Sequence, residues 1–129
     1  MATEFNGKYL SLTTFRRDET GVATPMWFVR ENGHLLVETD GDSYKAKRIR
    51  RNSAVTVAEC TASGKLKGER VAGHAEFLPE TERSRVEALI AQKYRMDKVL
   101  VLPVYRLVQR LHGKKLAEET PVVLSITPD

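Results

Sequence analysis

Five basic side chains crowd into seven positions of this chain: Lys45, Lys47, Arg48, Arg50 and Arg51. They follow Asp40-Gly-Asp-Ser, a turn-forming run behind a strand-like segment. Asp42 or Ser43 can cap a short helix here, because either side-chain oxygen can accept from free backbone N–H groups of the first turn. The open end of a helix attracts anions through those N–H groups and the helix dipole. Lysines just inside it would hold a phosphate as point charges. The competing expectation is a solvated basic face, with Ala46 and Ile49 turned inward and Lys47, Arg50 and Arg51 outward.

Trp27 is the single tryptophan and stands in an otherwise apolar run. Pro25 cannot donate to a strand ladder, which places this run at an edge or bulge where a ligand can approach. Pro25-Met26-Trp27 therefore reads as a ligand wall, with core packing of Trp27 as the rival expectation. His34, His74 and His112 fall on different elements without metal-ligand spacing, so no zinc or iron site is expected. His74 reads as a strand-face residue. No serine has the setting of a nucleophile elbow, which leaves a hydrolytic triad unsupported. Cys60, the only cysteine, excludes an internal disulfide and reads as a small buried residue rather than a reactive thiol. No residue is assigned as a catalytic acid or nucleophile.

Strands must position these groups. Residues 8–16 alternate apolar and polar, Arg17–Gly21 reads as a hairpin loop, and Val22–Arg30 forms the second strand. Asn32-Gly33 signals a tight turn into a third strand, His34–Thr39. Beyond the basic helix come strands over Ala54–Thr61 and Arg70–Leu78, separated by a glycine-containing loop. Pro79–Glu82 opens a helix carrying Val86, Leu89, Ile90 and Lys93-Tyr94 at a 3.6-residue period, and Pro103 begins another through Val104, Leu107, Val108 and Leu111. Val122–Thr127 is the last strand. This order fits a mainly β (α+β) fold, a six-stranded antiparallel barrel with peripheral helices, with a β-sandwich as the alternative that the closing strand disfavours.

The length of 129 residues suits one domain spanning 1–129, and 41% hydrophobic with 29% charged residues argues against a wholly disordered chain. No apolar run approaches the roughly 20 residues that cross a bilayer, and the first residues lack the apolar stretch of a signal peptide. A cytoplasmic protein without a membrane partner is expected. The net charge of +4 comes largely from residues 45–51 and Lys114–Lys115. Such a cluster can serve nucleic acid, a membrane surface or an anionic small ligand. A nucleic-acid role is disfavoured because only Tyr44 neighbours the basic run, which is no stacking platform.

The frame Tyr9-Leu-Ser-Leu-Thr-Thr-Phe-Arg, Gly21-Val-Ala-Thr-Pro-Met-Trp-Phe-Val, Leu36-Val-Glu-Thr and Ser43-Tyr-Lys-Ala-Lys-Arg-Ile-Arg-Arg-Asn resembles the split-barrel flavin and deazaflavin oxidoreductases. More narrowly, it is similar to the pyridoxamine-phosphate-oxidase-like class of coenzyme F(420)-dependent enzymes of actinobacteria. Gly73-His-Ala-Glu-Phe and the Arg85…Lys93-Tyr94 helix share the likeness, which runs from about Lys8 to Asp129. The resemblance implies a six-stranded antiparallel split β-barrel with peripheral helices, in a homodimer with the cofactor in a groove between the barrels. It places the cofactor phosphate at Thr39, Ser43, Lys45 and Lys47, and the ring against the second strand at Thr24, Pro25, Met26 and Trp27. The chain departs at Ser53, where the family commonly has proline, and at Ser43, where relatives often carry arginine, so that Lys47 must compensate. The implied activity is hydride transfer from reduced coenzyme F(420) to an unsaturated small-molecule substrate. FMN is the alternative cofactor, and a non-catalytic carrier the alternative role. A cofactor that already carries the hydride asks the protein for position, a dry pocket and charge compensation, which suits a chain without an evident nucleophile.

Overall fold

The computed structural model describes residue 5, residues 7–94 and residues 121–129. Strand formers alternating with polar residues build β1 (Tyr9–Phe15), which returns through a tight turn as β2 (Gly21–Met26). β3 (Val29–Glu31) and β4 (His34–Asp40) are joined by Asn32 and Gly33 at φ of 51° and 81°. Both central residues thus take the left-handed geometry that an Asn-Gly hairpin turn requires. There follow helix α1 (Tyr44–Arg51), β5 (Ala54–Cys60), β6 (Val71–Phe77), a 3₁₀ turn (Glu80–Glu82), helix α2 (Arg83–Lys93) and β7 (Pro121–Pro128). The expected helix from Pro103, His112 and Lys114–Lys115 lie outside the described residues. No described helix is long and apolar enough to cross a membrane.

The strands form one antiparallel sheet in the order β2-β1-β5-β6-β7-β4-β3, curved into a half-barrel. It has seven strands, not the expected six, because Val22–Arg30 is not continuous. The run breaks at Trp27-Phe28, and its halves become opposite edges: β2 pairs with β1, and β3 pairs with β4. The break has a local cause. Phe28 is buried, and its backbone N–H and C=O turn to the Tyr94 hydroxyl rather than to a neighbouring strand.

Alternation decides what each face buries. Leu10, Leu12, Val37, Val57, Leu124 and Ile126 share the inner core. On the outer face of β4 and β7, Leu36 and Val123 pack with Val29 beneath Val86 of α2, flanked by Leu89 and Ile90. These are the apolar positions whose 3.6-residue period marks α2 in the sequence. β6 and β7 approach closely at Gly73, where a Cβ would sit 2.7 Å from the Thr127 carbonyl oxygen. Cys60 is buried, and burial raises its thiol pKa, as befits a packing residue.

Candidate cofactor site

Helix α1 has the capped start that its sequence suggests. Of the two candidate caps, Ser43 serves: its hydroxyl oxygen accepts from Ala46 N–H at 3.1 Å while its proton goes to the Asp40 carbonyl at 2.7 Å. The Asp40 carboxylate accepts from Asp42 N–H at 3.1 Å, closing the turn on itself. The Ser43 hydroxyl is thereby spent on the turn and has no second proton for a ligand. The backbone N–H groups of Tyr44 and Lys45 remain without a hydrogen-bond partner among the described residues. Ala46 and Ile49 are buried against the sheet, so the helix is fixed along that face.

The five basic residues divide by chemistry. Arg48 donates to the Thr14 hydroxyl at 3.4 Å, Arg50 to the Gly41 carbonyl at 2.7 Å, and Arg51 to the Phe15 carbonyl at 2.6 Å. Arg50 also covers the Phe77 ring at 4.9 Å. The arginines expected as surface charges, Arg50 and Arg51, thus fasten α1 to β1 and to the turn before it. Lys45 and Lys47 have no hydrogen-bonding or acidic partner among the described residues. Lys47 lies 5.6 Å from the ring centroid of Tyr44, an exposed side chain. Burial, and then repulsion from Arg48, lower the pKa of Lys45, a cost that a bound anion would relieve. Thr39, half-buried on β4, stands one turn before this group.

The other expected wall does not share one face. Register sets Thr24 and Met26 opposite Leu12 and Leu10, toward the interior, and Pro25 opposite Ser11 on the outer side. Met26 packs on the core, and Pro25 is exposed on the edge strand, where its missing N–H is tolerated. Trp27 lies past the strand end and stacks on Tyr94, with centroids 4.5 Å apart and planes 8° from parallel. Tyr94 is 1% exposed. Its hydroxyl accepts from Phe28 N–H at 2.9 Å and lies 2.6 Å from the Lys8 carbonyl. Lys93 donates to the Phe28 carbonyl at 2.8 Å, so the end of α2 clamps the bend from two sides.

The two candidate groups meet opposite ends of β2. α1 rests on Thr14 and Phe15, which pair with Val22 and Gly21. From there to Trp27 is about 16 Å of extended chain. One ligand could touch both only by lying along the edge strand. Sequence reasoning missed the clamp by Lys93 and Tyr94, seen there only as part of a helical period. The available signal was the tyrosine itself, because a hydroxyl on the apolar stripe of a helix needs a polar partner when buried. The two described histidines stay apart: His34 contacts the Thr127 hydroxyl at 2.8 Å and His74 the Asp129 carboxylate at 3.1 Å. Among the described residues no group of His, Cys, Asp and Glu could hold a metal ion.

A seven-stranded antiparallel half-barrel with two described helices is consistent with the split-barrel fold. The chain belongs to the pyridoxamine 5'-phosphate oxidase family, which it matches over residues 5–118. No curated protein matches it. Among solved structures it is similar to a conserved hypothetical protein from Mycobacterium tuberculosis, at 22% identity and a TM-score of 0.64, covering 95% of this chain and 74% of that one. It is also similar to an F(420) reductase, at 18% identity and a TM-score of 0.61, with coverage of 94% and 86%. A FAD-binding protein from Mesorhizobium loti matches at 15% identity and a TM-score of 0.57, with coverage of 95% and 80%. Other neighbours are described as a heme storage protein from Vibrio cholerae and as a domain-swapped dimer. At these identities the likeness shows the fold, and the site must argue the function.

Proposed function

We propose that the protein is a cytoplasmic oxidoreductase, a homodimer that uses reduced coenzyme F(420) to reduce an unsaturated organic substrate. The carrying observation is the division within α1: three arginines are tied to the protein, while among the described residues Lys45 and Lys47 have no hydrogen-bonding or acidic partner and stand beside two unbonded N–H groups at a capped helix start. That arrangement suits a phosphate. When bound, the deazaflavin supplies the hydride. The chain's own contribution is binding and orientation: Lys45 and Lys47 hold the phosphate, Thr39 borders it, and Ser43 keeps the turn in shape. Trp27, backed by Tyr94, offers a flat face for the ring, with Pro25 at the adjoining edge of β2. Met26 and Thr24 support that edge from the interior. A second copy against the exposed edge would close a groove that one chain leaves open. FMN is the second reading, favoured by the flavin-binding description of one neighbour of the same fold.

Titration of the purified protein with coenzyme F(420) and with FMN, separately, tests the assignment. F(420) should bind more tightly, and Lys45→Ala should weaken it by about ten- to a hundredfold, the worth of a charge-assisted hydrogen bond. Lys47→Ala should do so less severely. Tighter FMN binding would transfer the reading to flavin. Unchanged binding in both variants would remove the phosphate from α1.

A further inference from the structure

A second concentration of positive charge lies beside the Trp27-Phe28 bend, on elements other than α1. A cleft of about 360 Å³ is lined by Phe5, Val29, Arg30, Leu89, Gln92 and Lys93. The Lys93 ammonium is drawn inward, 2.8 Å from the Phe28 carbonyl oxygen and 3.6 Å from the centroid of the Phe28 ring. Arg30 has neither a hydrogen bond nor an ion pair among the described residues. The carboxylate within electrostatic reach, Glu59, accepts from Gly7 N–H at 2.9 Å. Burial, and then repulsion from Arg30, bring the Lys93 pKa down to about 8, with Glu59 opposing. Among the described residues, two mutually repelling cations thus line one cleft, a charge pattern that an anion would complete. The arginine offers a planar fork to it and the ammonium keeps N–H groups beyond the one given to Phe28. The rest of the lining is hydrocarbon from Phe5, Val29 and Leu89, with the amide of Gln92.

We infer that this cleft binds a small organic anion, its charged group between Arg30 and Lys93 and its apolar body against Phe5, Val29 and Leu89. The inference goes beyond the cofactor reading and stands whether or not α1 holds a phosphate.

The test uses the whole protein with benzoate, phenyl phosphate, benzyl alcohol and inorganic phosphate as probes at constant ionic strength. With lysine ¹³C-labelled at Cε, the Lys93 resonance should shift saturably with benzoate or phenyl phosphate, and its pKa should rise on binding. Lys93→Met and Arg30→Met should each weaken binding about tenfold or more, whereas Lys93→Arg should stay within a few-fold of the parent. Circular dichroism confirms that the variants fold, and Arg30, on the exposed side of β3, is the safer of the two. The inference is overturned if neither aromatic anion saturates the Lys93 shift. It is equally overturned if benzyl alcohol or inorganic phosphate binds as tightly as they do, or if both methionine variants bind unchanged.

Discussion

Removing one oxygen from Tyr94 should loosen the bend that separates β2 from β3. In Tyr94→Phe the ring can still stack on Trp27, but Phe28 N–H loses its acceptor and the Lys8 carbonyl its donor. Phe28 is fully buried, so water cannot readily replace the lost partner. A buried donor left unsatisfied costs about 1–3 kcal/mol, and the net loss of the second hydrogen bond adds about 0.5–1.5 kcal/mol. Lys93 still donates to the Phe28 carbonyl, which spares that acceptor. The expected destabilisation is therefore about 1.5–4.5 kcal/mol, which for a chain of this size lowers the melting temperature by roughly 5–18 °C. Urea unfolding followed by Trp27 emission and by circular dichroism measures it. Tyr94→Ala, which also removes the stacked ring, should cost about 3–5 kcal/mol more and should change the native Trp27 spectrum. A Tyr94→Phe variant within 0.5 kcal/mol of the parent would refute the idea that this hydroxyl holds the bend.

Glu38 supplies a pH test: burial, and then the neighbouring Glu87 carboxyl, push its pKa from 4.5 up to about 8, against the pull of Arg83. The folded protein thus keeps a proton that the unfolded chain releases, so stability should fall as pH rises from about 4.5 to 8, by at most about 1.4 kcal/mol per pH unit. Glu38→Gln should flatten that profile, and equal slopes in urea midpoints measured from pH 5 to 8 would reject the assignment. Gly73→Ala must push a methyl group to 2.7 Å from the Thr127 carbonyl oxygen and should cost at least about 1–3 kcal/mol, a loss read directly by thermal melting. If Trp27 forms the ring face, cofactor should quench its fluorescence saturably, and binding detected by calorimetry without any change in emission would exclude that role. Light scattering should find a dimer at micromolar concentration, a stable monomer being the contrary result. Cofactor affinity should fall only gently with salt, because one or two phosphate contacts release few counterions.

Local signals in the chain proved sufficient for much of this molecule. Asn32-Gly33 specifies its hairpin because both residues tolerate positive φ, and Asp42-Ser43 marks the start of α1 because either side chain can cap it, Ser43 being the one that does. Ala46 and Ile49 reveal the buried face of α1, and Val86, Leu89 and Ile90 that of α2. Each depends on neighbours within a few residues, which is the range over which propensity and periodicity act. The split of Val22–Arg30 lay beyond that range: its cause is Tyr94, 66 residues from Phe28 along the chain. The division of Thr24 and Met26 from Pro25 likewise needed the register of β2 on β1. Composition placed five cations on α1 but could not say which were free, since Arg48, Arg50 and Arg51 find their acceptors on β1 and the preceding turn only once the sheet has formed. The sequence alone therefore determined most of the described elements and the capped, basic start of α1. Only the tertiary structure decided where the barrel edge breaks and which cations of α1 find protein acceptors among the described residues, because those outcomes rest on contacts between residues that the chain itself keeps far apart.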